Sequence, residues 1–254
     1  MGMWDFFNFI ELDKKVRPVN IKIDKKTIYE NIDLSSSERK IIAECIEKIE
    51  IAYVLNSKNI NIQPYSDENM KYESIAFIGI KMRKKEKVER IAEILNCSIP
   101  NPIALVFEFE ESILIATALK RLSKIDKNRA VFEKINLTDW INLDNIDDLQ
   151  LQFINAIKMS NLPYTDFYEF YSAIDEAVFL INNSCIVKQF KISQNEEERI
   201  HKKDIIENIK SLEEKLAKIQ IRINKEKQFN KKLELNIEAS KIKDDIEGLK
   251  MNLN

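Results

Sequence analysis

Glu108, Glu110 and Glu111, followed by Lys120, are side chains of the types a metal-dependent nuclease uses. Carboxylates hold the cation and a lysine meets the phosphate. Their spacing argues against that chemistry. Glu108 and Glu110 alternate with Phe107 and Phe109, the pattern of a half-exposed strand. The single histidine, His201, stands in a polar helical stretch and reads as a solvated side chain. A Ser-His-Asp or Cys-His mechanism would have to use it. Cys45, Cys97 and Cys185 are far apart, with neither zinc-ligand nor disulfide spacing. They read as small buried hydrophobes in a reducing compartment. Gly2, Gly79 and Gly248 are too scattered to form a phosphate-cradling loop. We therefore assign no catalytic residue, no metal ligand and no cofactor from the sequence.

Two basic clusters carry a different chemistry. One comprises Lys81, Arg83, Lys84, Lys85, Lys87 and Arg90; the other comprises Lys120, Arg121, Lys124, Lys127 and Arg129. Each begins at the end of an expected strand, so the two can share one rim of a sheet. Arg83, Lys84, Lys85, Lys120 and Arg121 are the candidate phosphate contacts of such a rim. The alternative is ordinary solvated charge, with Glu86, Glu89 and Glu93 among the cations. Bulk charge does not favour a nucleic-acid binder: 40 Lys+Arg against 42 Asp+Glu give a formal charge of -2.

The elements that would position these residues read as α/β or α+β. Val19–Ile23 alternates as a strand. Ser35 and Glu38 form a capping box for a helix carrying Ile41, Ile42, Cys45, Ile46 and Ile49. Strands are expected at 51–55, 59–62, 75–82, 103–109, 112–119 and 130–136, with a helix over 85–96. The run at 75–82 is apolar throughout, as in a strand covered on both faces. Glu110-Glu111 is a turn of hairpin length without the usual turn residues. This N-terminal domain, with a mixed sheet, spans 1–143. An all-α region follows over 144–195, with helices at 145–159 and 165–191.

The C-terminal region, 196–254, reads as a coiled-coil helix. Ile205, Ile209, Leu212, Leu216, Ile219 and Ile223 recur at spacings of four and three. A second seam, Leu235, Ala239, Ile242, Ile246, Leu249 and Leu253, is displaced by two residues, roughly 200° around a helix. Either the chain reverses near 225–230, or the two halves meet different partners. Without Gly or Pro there, the reading adopted is one long helix. Phe229, between Gln228 and Asn230, either belongs to a register-setting interruption or anchors a partner.

The stretch Lys225-Glu226-Lys227-Gln228-Phe229-Asn230-Lys231-Lys232-Leu233-Glu234-Leu235-Asn236 is distinctive. So, more diffusely, are 51–55 with Asn59–Ile62, the Ile99-Pro100-Asn101-Pro102 step, and Lys120-Arg121. Together they resemble a bacterial family of unknown function. Its members resemble companions of helicases and DNA methyltransferases in restriction-like or phage-defence gene clusters. The resemblance implies a role in DNA processing and a helicase- or methyltransferase-type partner. It brings no catalytic motif.

The apolar N-terminus has no basic n-region, and no run is long enough to span a bilayer, so a cytoplasmic protein is expected. The expected function is a non-enzymatic accessory or interaction subunit of a DNA-processing or defence assembly. Its tail would oligomerise with itself or dock a partner. The alternative is a nucleic-acid-binding or metal-dependent nuclease domain using the basic rim.

Overall fold

The computed structural model describes residues 1–124, 130–187 and 190–253. The chain divides into two units, 1–182 and 183–254.

The first unit opens with α1 (Met3–Phe9) and α2 (Leu12–Lys15), then β1 (Ile21–Lys22), α3 (Lys25–Asn31) and α4 (Ser36–Cys45). The capping box forms as expected: the Ser35 hydroxyl accepts from the Glu38 N–H, and the Glu38 carboxylate accepts from the Ser35 N–H. There follow β2 (Ile46–Asn56), β3 (Tyr65–Ser66), β4 (Lys71–Tyr72), β5 (Ser74–Met82), α5 (Val88–Ser98), β6 (Ile103–Phe109) and β7 (Ser112–Thr117). Short strands β8 (Lys120–Leu122), β9 (Ala130–Phe132), β10 (Asn136–Leu137) and β11 (Ile141–Asn142) precede α6 (Asp148–Ala156) and α7 (Phe167–Ile181).

A mixed seven-stranded sheet runs β1-β2-β5-β6-β7-β10, with β11 also paired to β7. Only β5 and β6 are parallel, and α5 connects them. Parallel neighbours need such a crossover, whereas β6 and β7 are joined by a two-residue turn. In that turn Glu110 takes φ 52, a left-handed conformation that favours glycine. One face of the sheet is covered by α3, α4 and α5, which bury Ile28, Ile42, Ile91 and Leu95 against Ile78, Ile80, Leu105 and Phe107. The other carries α1 and α7. Phe7 packs edge-on against Tyr53 and Phe77, and Tyr171 donates to the Ile103 carbonyl at 2.6 Å.

The helix expected to reach Ile49 stops at Cys45. Ile46 and Ile49 belong to β2, and the reason is a bulge. The pairing shifts between Ile46↔Met82 and Lys48↔Lys81, so Ile49 falls opposite Ile80. Two residues three apart thereby face one side of a strand, which mimics a helical period. The stretch 59–62, expected as a strand, forms turns instead: the Asn59 side chain bonds to the Asn56 N–H and the Val54 carbonyl.

The second unit is a pair of helices, α8 (Glu196–Lys225) and α9 (Phe229–Asn252), packed along each other. One long helix is therefore wrong. The chain reverses at 226–228 without Gly or Pro because the Glu226 carboxylate accepts from the Lys227 and Gln228 N–H groups, both at 2.8 Å. Both expected seams meet inside the pair: Leu216, Ile219 and Ile223 pack with Leu235, Ala239 and Ile242. Among the described residues no helix is long and apolar enough to cross a membrane.

Candidate functional site

The sheet topology separates the two basic clusters. The loop carrying Arg83, Lys84 and Lys85 leaves the edge where β5 and β6 end. Because β7 is antiparallel to β6, Lys120 and Arg121 emerge at the edge where β6 begins. The eleven residues of α5 lie between, about 16 Å of helix. A single shared rim is not formed. Lys127 and Arg129 lie outside the described residues.

Lys120 is not at the surface. It is 4% exposed, and its ammonium donates to the carbonyl oxygens of Asn96 (3.1 Å), Ile99 (2.5 Å) and Asn101 (2.9 Å). These carbonyls belong to the C-terminal end of α5 and the turn after it, where the helix leaves acceptors unpaired and its dipole favours a cation. Burial pulls the Lys120 amine down to about 7. Its backbone is held as well: the Tyr72 hydroxyl accepts from the Lys120 N–H at 2.8 Å and donates to its carbonyl at 3.0 Å. Burial raises the Tyr72 hydroxyl's pKa above its ordinary value. Arg83 has the same task at α4, where its guanidinium donates to the Ala43 carbonyl at 2.9 Å. Lys25 joins it, bonding to Ala43 and Ile46, and burial followed by the Arg83 charge lowers the Lys25 pKa. Arg121 lies 3.7 Å from Glu133 and Lys84 3.9 Å from Glu44, both loose exposed pairs.

Lys85 has a different environment. Its ammonium sits 5.2 Å from the Trp140 ring centre and 5.5 Å from that of Phe109. The two rings meet edge to face at 6.4 Å. Nothing in the sequence joins Trp140 to Lys85; the contact exists because β11 pairs with β7 and brings Trp140 beside the end of β6.

The carboxylates do not assemble into a metal site. Glu108 accepts from the Met3 N–H at 3.2 Å, at the start of α1, while Glu110 and Glu111 form the turn beyond. No group of three or more His, Cys, Asp or Glu is placed to hold a metal among the described residues. Sequence reading missed a buried polar cluster on α7, where Asp175 accepts from Thr117 (2.8 Å) and Asn136 (3.0 Å). An acid inside the apolar run of 167–181 was its available signal. Cys45 is buried as expected, but Cys97 and Cys185 are exposed. His201 is exposed on α8.

In the hairpin, Ile205, Ile209 and Ile219 are buried, and Leu212, Leu216 and Ile223 partly so. Phe229 is not in the seam. It is 77% exposed, and with Leu233 and Ile237, each 51% exposed, it forms a stripe centred about 140° around α9 from Leu235 and Ala239.

The model of the domain of unknown function DUF4391 matches residues 16–246. The chain belongs to that family. The match spans nearly the whole sheet unit and most of the hairpin, so both are parts of the DUF4391 domain. No curated protein and no solved structure matches the chain.

Proposed function

We propose that this DUF4391 chain is a non-enzymatic accessory subunit of a bacterial DNA-processing or phage-defence assembly, and that its helical hairpin docks another subunit. The observation that carries the reading is the outward stripe Phe229, Leu233 and Ile237. Residues four apart on an exposed helix face are the anchors of helix-in-groove recognition. The inner seam has already satisfied the requirement of packing α8 on α9, so this second stripe serves no purpose within the pair.

The occupant is an amphipathic helix of a different protein. Lys232, Lys241 and Lys243 flank the stripe, and Asp244 and Glu247 continue its face. Parallel self-pairing of α9 would set Asp244 against Asp244 and Glu247 against Glu247, an unfavourable arrangement. A partner helix with acidic residues beside its apolar anchors fits the lysine flanks. The resemblance to companions of helicases and methyltransferases supports a subunit of that type as its owner.

The test compares tagged wild type with Leu233→Glu/Ile237→Glu in the native host. Both substitutions lie on the exposed face, so circular dichroism should show unchanged helicity. Capture of a helicase- or methyltransferase-type subunit by wild type, lost in the variant, supports the reading. Equal capture by both, or self-association alone in light scattering, overturns it.

A further inference from the structure

We propose that the edge where β5 and β6 end binds single-stranded nucleic acid, with Trp140 and Phe109 stacking on bases and the 83–87 loop holding phosphates. This goes beyond the docking role and uses no residue of the hairpin.

Two independent features meet at this edge. The first is the loop Arg83-Lys84-Lys85-Glu86-Lys87, exposed throughout and leading into α5. Lys87 has φ 61 and gives α5 no side-chain cap, so the first-turn N–H groups of that helix add to the positive end of its dipole. The second is the aromatic pair, half-buried against the core beneath α5, with Lys85 over both rings. Cations beside partly exposed rings are the combination that sequence-tolerant single-strand binders use: bases stack on the rings and cations follow the backbone. A duplex keeps its bases stacked internally and would engage the cations alone.

The charges facing the loop set the scale. Arg83 is engaged with Ala43, and Lys84 only loosely with Glu44. Glu86, Glu110, Glu111 and Asp139 lie on the loop, the neighbouring turn and beside Trp140. About three phosphates can be held, by Lys84, Lys85 and Lys87, which predicts a log–log salt slope of roughly -2 for a single strand. Binding is therefore weak and strongest at low salt.

The experiment uses the full chain carrying Trp4→Phe, which leaves Trp140 as the only tryptophan. A thymidine oligomer is titrated at low salt while tryptophan emission and oligomer anisotropy are followed. The expected result is quenching of Trp140 that tracks binding, with weaker binding to a duplex. Lys84→Glu/Lys87→Glu, on the exposed loop, should weaken binding at least about tenfold. Trp140→Leu should weaken it by ~10-fold, in line with the loss of one stacked base. Absence of binding at low salt overturns the proposal. So does binding without quenching, binding insensitive to the lysine substitutions, or equal affinity for duplex. None of these outcomes bears on capture of a partner by the hairpin.

Discussion

The ammonium nitrogen of Lys120 lies 2.5 Å from the carbonyl oxygen of Ile99, the residue that ends α5. A cation from beyond β7 thus closes a helix that begins before β6.

Lys120 makes stability depend on pH. Its amine falls from an ordinary 10.5 to about 7 in the folded chain. Between those values the unfolded chain binds more protons than the folded one, so stability should rise with pH from about 7 towards 10.5 and be lowest below 7. Lys120→Met removes the titrating group and leaves three carbonyls without their donor, costing about 2–3 kcal/mol at neutral pH. Urea unfolding of both proteins across this range is the measurement. Parallel stability profiles would show that the buried amine does not titrate as described.

Glu110 sits in the left-handed region at φ 52. Asn tolerates that conformation better than Glu. Glu110→Asn should stabilise the domain by about 0.5–1 kcal/mol. A thermal melt that is unchanged or lowered would mean the turn is not strained.

Gly79 lets α1 approach the sheet. A β-carbon there would stand 2.3 Å from the Met3 sulfur and 2.4 Å from its methyl carbon. The methionine end is flexible, so Gly79→Ala should cost only about 1–2 kcal/mol. Met3→Ala should absorb much of that penalty, and a double-mutant cycle would show it as coupling of ~1 kcal/mol. Additive effects would place the strain elsewhere.

Ser35 caps α4 and, with Arg90, holds the Glu38 carboxylate at about 2. The stabilisation from Glu38 is present above its ordinary 4.5 and lost as the pH falls towards 2. Ser35→Ala should cost about 1 kcal/mol at neutral pH. It should also raise the Glu38 pKa, so that the acid loss begins at higher pH. Acid titration followed by circular dichroism checks both effects.

What the sequence disclosed was local. Ser35 and Glu38 announce α4 because a capping box is complete within four residues. The two seams of the tail were visible because each lies within one helix. Features joining distant residues were hidden. Lys120 reads as one more surface cation because its acceptors lie 19 to 24 residues away along the chain. Ile46 and Ile49 look helical because a bulge reproduces a three-residue spacing. The reversal after α8 was invisible because a glutamate side chain, rather than glycine or proline, closes it.

That reversal decides which apolar residues of the tail meet water. Folded back, the two seams pack on each other, while Phe229, Leu233 and Ile237 stay outside the pair. Straightened, the same residues would expose the two seams to water on opposite sides of one helix. The Glu226 carboxylate, accepting two backbone hydrogen bonds, marks the point where the seams turn to face each other.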